Sequence, residues 1–271
     1  MHASEFRRLA EALLGVTLAA GRIQMAHFKT GVAVHTKVDH SPVTVADRES
    51  EAVILEALAR IAPGVPVVSE EAASVGKAPK VEGTFFLVDP LDGTRPYIRG
   101  EPQFTINIGL IEAGRPTFGL IYAPARGELY VTLGQHEAAT AVLPVDASPA
   151  ALADCGLHAI RTQPPGAEGL RALTSNTHLN EATLNFLGRY KIAGRKAMSS
   201  SIKFCLLARG EADVYPRLGE TSEWDTAAGH AVLAAAGGTV TAPDGGPLLY
   251  AKPKFLNSGF VAWAGAPVPA A

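Results

Sequence analysis

Cysteine is almost missing from this chain. Cys155 and Cys205 are the only two in 271 residues, too few for a disulfide framework or a zinc cluster, so a reducing cytoplasm suits the sequence. A dominant charge is missing too. The net charge is -2, and no basic stripe marks a nucleic-acid surface. No stretch approaches the roughly 18 uninterrupted apolar residues of a membrane span. The opening Met1-His2-Ala3-Ser4-Glu5-Phe6-Arg7-Arg8 mixes charges and has no long apolar core, unlike a signal peptide. The expectation is a cytoplasmic protein with no transmembrane segment, which leaves peripheral association with the inner membrane open. The eight histidines show no ligand spacing, and no internal repeat is present.

What is present is a generous interior. Hydrophobic residues make up 47% and charged residues 18%, enough for one large domain or two halves sharing a core. Residues 4–28 place Phe6, Leu9, Leu13, Val16 and Ile23 at helical spacing, and Gly31 should end that helix. Residues 31–38 read as a strand or an extended loop. Thr44 and Asp47 have the form of a capping box that opens a second helix reaching about Ile61. A short buried strand at 65–68 then delivers Glu70 and Glu71 at its end. From Phe104 to Leu133 the pattern is an antiparallel meander.

The division between halves is expected in the Ala-, Pro- and Gly-rich residues 136–169, giving units 1–150 and 151–271. Beyond it strand and helix alternate: strands at 170–175, 211–216 and 239–241, helices at 179–190, 200–209 and 225–236. That rhythm implies a layered α/β half.

The chemistry concentrates in residues 69–93. Phe85-Phe86-Leu87-Val88 reads as a buried strand, and Asp89-Pro90 should force the chain out of it. Asp89 and Asp92 then share a tight turn closed by Gly93, with Glu70 as a third carboxylate. Such an all-oxygen, strongly negative pocket repels itself unless protons or a divalent cation such as Mg2+ relieve it. Taken singly, each part has a plainer reading: a D-x-x-D surface turn, Asp47 as a first-turn carboxylate favoured by the helix dipole, Asp225 as a helix cap.

Together, Glu70-Glu71, Asp89-Pro90-Leu91-Asp92-Gly93-Thr94 and Trp224-Asp225-Thr226-Ala227-Ala228-Gly229 resemble the signature set of the inositol monophosphatase superfamily. The stretch Ser199-Ser200-Ser201-Ile202-Lys203-Phe204, with Tyr215-Pro216-Arg217 and Leu256-Asn257-Ser258-Gly259-Phe260, is most similar to the 3'(2'),5'-bisphosphate nucleotidase branch. The departure is Thr94-Arg95-Pro96-Tyr97, where that branch usually carries Thr-Lys-Glu-Phe.

The resemblance implies an α/β (α+β) fold, a layered αβαβα sandwich. It implies two or three Mg2+ ions held by Glu70, Asp89, the Leu91 carbonyl, Asp92 and Asp225, with Glu70 and Asp92 also counted as catalytic. It makes Asp47 and Thr94 the pair that activates the attacking water. Gly93 and Thr94 would hold the phosphate, and Ser200, Lys203, Arg217 and Asp225 would bind the rest of a small phosphorylated nucleotide. The plainer alternative for Lys203 and Arg217 is that of ordinary solvated cations. The implied reaction is release of the 3'-phosphate of adenosine 3',5'-bisphosphate. The alternatives are an inositol or histidinol phosphatase of the same superfamily, or a regulatory nucleic-acid-associated member, which the net charge disfavours. Nothing in the sequence decides between a monomer and a homodimer.

Overall fold

Stretches of period 3.6 and period 2 alternate along the chain, and in a computed structural model they stack as five layers. The description covers residues 1–30, 34–36, 42–267 and 269. Gly31, His40, Ser41 and most of the expected 31–38 segment lie outside the described residues.

The first layer is α1 (Ala3–Thr30) beside α2 (Val45–Ile61). By length and a mean hydropathy of 1.2, residues Ser4–Phe28 could cross a membrane. In the fold their apolar stripe is covered, with Phe6, Leu13 and Leu18 buried in one cluster with Ile54 and Leu58 of α2 and Phe86, Ile108, Phe118 and Leu120 of the sheet beneath. Burial of that size contributes roughly 1.5–3 kcal/mol per large side chain. A short hairpin of β1 (Val34–Thr36) and β2 (Pro42–Thr44) leads into α2.

The second layer is a seven-stranded sheet. Its order is β3 (Val67–Ser69), β4 (Thr84–Asp92), β5 (Thr105–Glu112), β6 (Arg115–Ala123), β7 (Glu128–Gly134), β8 (Glu137–Val142) and β9 (His158–Ile160). Only β3 and β4 run parallel. Two single-turn helices flank β4, α3 (Glu70–Ser74) before it and α4 (Thr94–Ile98) after it. The sheet continues past residue 150, and the chain passes to the second sheet only between Ile160 and Leu170.

One expectation needs correction here. Asp89-Pro90 does not end β4. Asp89 pairs with Asn107, the register breaks over residues 90 and 91, and pairing resumes at Asp92 opposite Thr105. Proline has no N–H to offer a ladder, so it sits in a bulge rather than at a terminus. The two aspartates therefore flank a bulge on a sheet-held strand.

The second sheet has the order β11 (Ile192–Met198), β10 (Leu170–Ser175), β12 (Val214–Arg217), β16 (Phe260–Trp263), β14 (Thr239–Thr241), and α5 (Glu181–Leu187) covers its outer face. Between the sheets lie α6 (Ile202–Ala208) and α7 (Ala227–Ala235), completing the αβαβα sandwich. β13 (Thr221–Ser222) and β15 (Leu256–Asn257) pair separately beside the N-terminal end of α7.

Two cross-strand glycines let α7 lie against the first sheet. Gly109 faces Gly119; a Cβ on Gly119 would stand 2.2 Å from the Ala228 carbonyl oxygen, and one on Gly109 2.8 Å from the Ala227 Cβ. This close approach brings the turn carrying Asp225 to the Asp89–Asp92 bulge.

Candidate active site

A cleft of about 360 Å3 lies between elements of the two sheets. It is lined by Glu70, Asp92, Gly93 and Thr94 from the N-terminal half and by Ser200, Lys203, Arg217 and Asp225 from the C-terminal half. Asp47, Asp89 and Leu91 are buried behind that lining. All the residues expected at the site are thus brought to one place.

The carboxylate side is set by the β4 bulge. Asp89 Oδ1 accepts from the Leu91 amide at 3.0 Å, which closes the bulge. Burial, and then the facing charges of Glu70, Asp92 and Asp225, push the Asp89 carboxyl well above its ordinary range; it also shares a side-chain hydrogen bond with Glu70. Burial and Asp225 likewise raise Asp92, to about 6. Its Oδ2 accepts from the Ser201 amide at 2.6 Å and from Asn107 Nδ2 at 3.4 Å. Among the described residues no three acidic, His or Cys side chains close on one point as a finished ligand shell would. The carboxylates face one another while each leans on protein partners.

Asp225 departs from the capping role its position suggested. Thr226 opens α7, and the Ala227 amide donates to the Glu223 carbonyl. The Asp225 carboxylate instead turns to β13, accepting from the Thr221 hydroxyl and from the Ser222 amide. With the helix N–H satisfied by backbone, the side chain faces the cleft.

Asp47 meets both the start of α2 and Thr94. Its Oδ2 accepts from the Thr44 amide at 2.8 Å and the Thr44 hydroxyl at 2.5 Å, completing the capping box at the start of α2. Its Oδ1 lies 3.2 Å from Thr94 Oγ1, which is also 3.3 Å from the Leu91 carbonyl oxygen. The cap fixes the carboxylate so that one oxygen meets Thr94. Gly93 adopts φ +102, and a Cβ there would stand 2.7 Å from the Gln103 carbonyl oxygen, so only glycine fits this turn.

The cationic side is less exposed than a solvated reading of Lys203 predicted. Lys203 is buried; its Nζ donates to the Ser200 carbonyl at 2.6 Å and the Met198 carbonyl at 3.2 Å, and stands 4.9 Å from the Tyr215 ring centre. Burial lowers its pKa to about 7, against the opposing pull of Asp92. Arg217 donates to the Glu220 carbonyl at 3.0 Å, while its Nε is buried with no acceptor. Ser200 holds φ +60, a left-handed geometry that serine seldom takes.

Sequence reasoning missed His178. It lines the same cleft, and burial followed by Arg217 and Arg95 lowers its pKa, which favours the neutral ring. It stands in a loop after β10 with no motif around it, so only the fold could bring it forward.

The model of the inositol monophosphatase family matches residues 5–266. The chain belongs to the inositol monophosphatase family. Among its curated relatives, the 3'(2'),5'-bisphosphate nucleotidase CysQ of Buchnera aphidicola is 34% identical over 96% of this chain and 95% of its own. The protein of that name from Escherichia coli K12 is 39% identical over 84% and 87%. Among solved structures of the family, CysQ from Bacteroides thetaiotaomicron superposes with a TM-score of 0.77 at 31% identity, covering 95% of this chain and 97% of that one. The αβαβα sandwich is therefore the fold of this family.

Proposed function

We propose that this chain hydrolyses the 3'-phosphate of adenosine 3',5'-bisphosphate to AMP and inorganic phosphate, with two or three Mg2+ ions at the carboxylate side of the cleft. The observation that carries the reading is one cleft with carboxylates on one side and, on the other, the buried Lys203 and an Arg217 whose Nε lacks an acceptor. The names of the relatives support the same substrate class.

The donor set fits Mg2+. Glu70, Asp89, the Leu91 carbonyl, Asp92 and Asp225 offer only oxygen, and the upward-shifted Asp89 and Asp92 carboxyls mark negative charge that a hard divalent cation would neutralise. Bound there, the ions would supply Lewis acidity and neutralise charge developing on the phosphoryl group. The chain's own residues do the rest. The Thr94 hydroxyl takes up the proton of the attacking water and passes its own to Asp47, whose carboxylate the capping box holds in place. The Gly93 and Thr94 amides hold the transferred phosphate. A second phosphate on the substrate needs cations of its own, and Arg217 and Lys203, with Ser200, supply that side.

Phosphate release in Mg2+ from a panel of adenosine 3',5'-bisphosphate, inositol 1-phosphate and histidinol phosphate tests the reading. The bisphosphate should give the highest kcat/KM, and a gel shift with RNA should show no complex. A preference for inositol 1-phosphate would overturn the substrate.

A further inference from the structure

The serine turn that forms the nucleotide side of the cleft is anchored at both flanks. At Ser201, the amide donates to Asp92 and the hydroxyl donates to Asn107 Oδ1 at 2.6 Å. At Ser199, the amide donates to Gln103 Oε1 at 2.9 Å. Between them Ser200 sits at φ +60, a conformation that persists only where its surroundings hold it.

Gln103 makes a second contact of the same kind. Asn176 Nδ2 donates to the same Oε1 at 3.2 Å and lies 3.3 Å from Ser199 Oγ, and the Asn176 amide donates to the Met198 carbonyl at 3.2 Å. A backbone N–H can only donate, so the amide oxygen of Gln103 must be the atom facing Ser199. Asn176 leads directly into Thr177 and His178, which line the cleft. On its other side, the Gln103 carbonyl backs onto the Gly93 turn. One residue thus joins the phosphate turn, against which its backbone carbonyl lies, to both loops of the facing wall, which its side chain meets.

We propose that Gln103 is a positioning residue that sets the geometry of the 176–178 and 199–201 loops, and through them the selectivity for a substrate bearing a second phosphate. The selectivity part rests on the bisphosphate reading above. Gln103 contacts no reacting atom in that reading; it acts through Ser199 and Asn176.

The test uses the full chain with Mg2+ and two variants. Gln103→Met keeps the length and removes the acceptor. Gln103→Glu keeps an acceptor for two N–H donors. Gln103→Met should raise KM for adenosine 3',5'-bisphosphate about tenfold with kcat within about twofold, the scale of the hydrogen bonds lost from one half-buried side chain. KM for inositol 1-phosphate should move by less than about twofold, and Gln103→Glu should recover most of the lost affinity. Amide hydrogen exchange of residues 176–178 and 199–201 should quicken in Gln103→Met by about tenfold, with the melting temperature reporting that the variant is folded. Unchanged exchange in those loops overturns the positioning role. So does an equal loss on both substrates accompanied by a lower melting temperature, which would mark plain destabilisation. If the wild-type protein shows no preference for the bisphosphate, the substrate reading falls, while the exchange result still decides the role of Gln103.

Discussion

The two sides of the cleft are built by different means. The carboxylate side, apart from Asp225 that α7 brings in, is local: a bulge in β4 places Asp89 and Asp92, the next residue must be glycine, and the first turn of α2 holds Asp47 through its own cap. The cationic side is assembled from distance. Its serine turn hangs on Gln103, Asn107 and Asp92, all about a hundred residues earlier in the chain, and Lys203 holds backbone rather than solvent. Chemistry common to a fold can be written into short spacing, whereas recognition of a particular substrate depends on how two sheets are set against each other. This contrast predicts that changes on the first side abolish turnover of every substrate, and changes on the second alter only the choice among them.

The largest effect should come from Asp92→Asn. One negative donor is lost, while an asparagine carbonyl can still accept the Ser201 amide, so the fold should stand. Phosphate release should fall by more than about a hundredfold for the bisphosphate and for inositol 1-phosphate alike. Retention of more than about a tenth of wild-type rate at saturating Mg2+ would remove Asp92 from the essential set.

Next in size is Thr94→Ala, which sharpens the division within the carboxylate side. Its hydroxyl meets Asp47 rather than a metal in the account given, so kcat should drop about 10²- to 10³-fold for both substrates with the Mg2+ requirement nearly constant. A variant that recovers fully when given more Mg2+ would place Thr94 among the metal donors.

The local character of the first side explains why it was legible in the sequence. Thr44 and Asp47 announce a cap, Phe85–Val88 announce a strand, and Asp89-Pro90-Leu91-Asp92-Gly93 announce a break in it; only the form of the break, a bulge and not an end, is decided by pairing with β5. The alternation of helix and strand after residue 170 was legible for the same reason. β11 was not, because this edge strand exposes Gly194, Arg195 and Lys196 with no alternation of burial. β16 was not either; it is four residues long and precedes an Ala- and Pro-rich tail. The parts of the cleft that escaped, His178 and the Gln103–Asn176–Ser199 contacts, depend on tertiary approach and carry no local pattern.

A smaller effect concerns protons. Asp92 is raised from 3.8 to about 6, and Asp89 well above its usual value. The folded state therefore binds more protons than the unfolded chain in that window, and without a divalent cation stability falls as pH rises through it. Cations displace those protons, so the stabilisation by Mg2+ should grow with pH. Lys203, lowered to about 7, has the opposite sign only above that value. Melting with EDTA and with Mg2+ at about pH 4.5 and about pH 7 should show an increment that rises towards about 2–3 kcal/mol at a hundredfold excess over Kd. An increment that is flat or shrinks with pH would mean the ion sits away from these carboxylates.

The most direct test of the division between the two sides is the selectivity ratio, kcat/KM for adenosine 3',5'-bisphosphate over that for inositol 1-phosphate, measured in the wild type and in Arg217→Ala. The ratio should exceed one in the wild type and fall by the equivalent of roughly 2–3 kcal/mol in the variant through weaker use of the nucleotide alone. A wild-type ratio below one, or an Arg217→Ala variant that slows both substrates equally, would contradict that division.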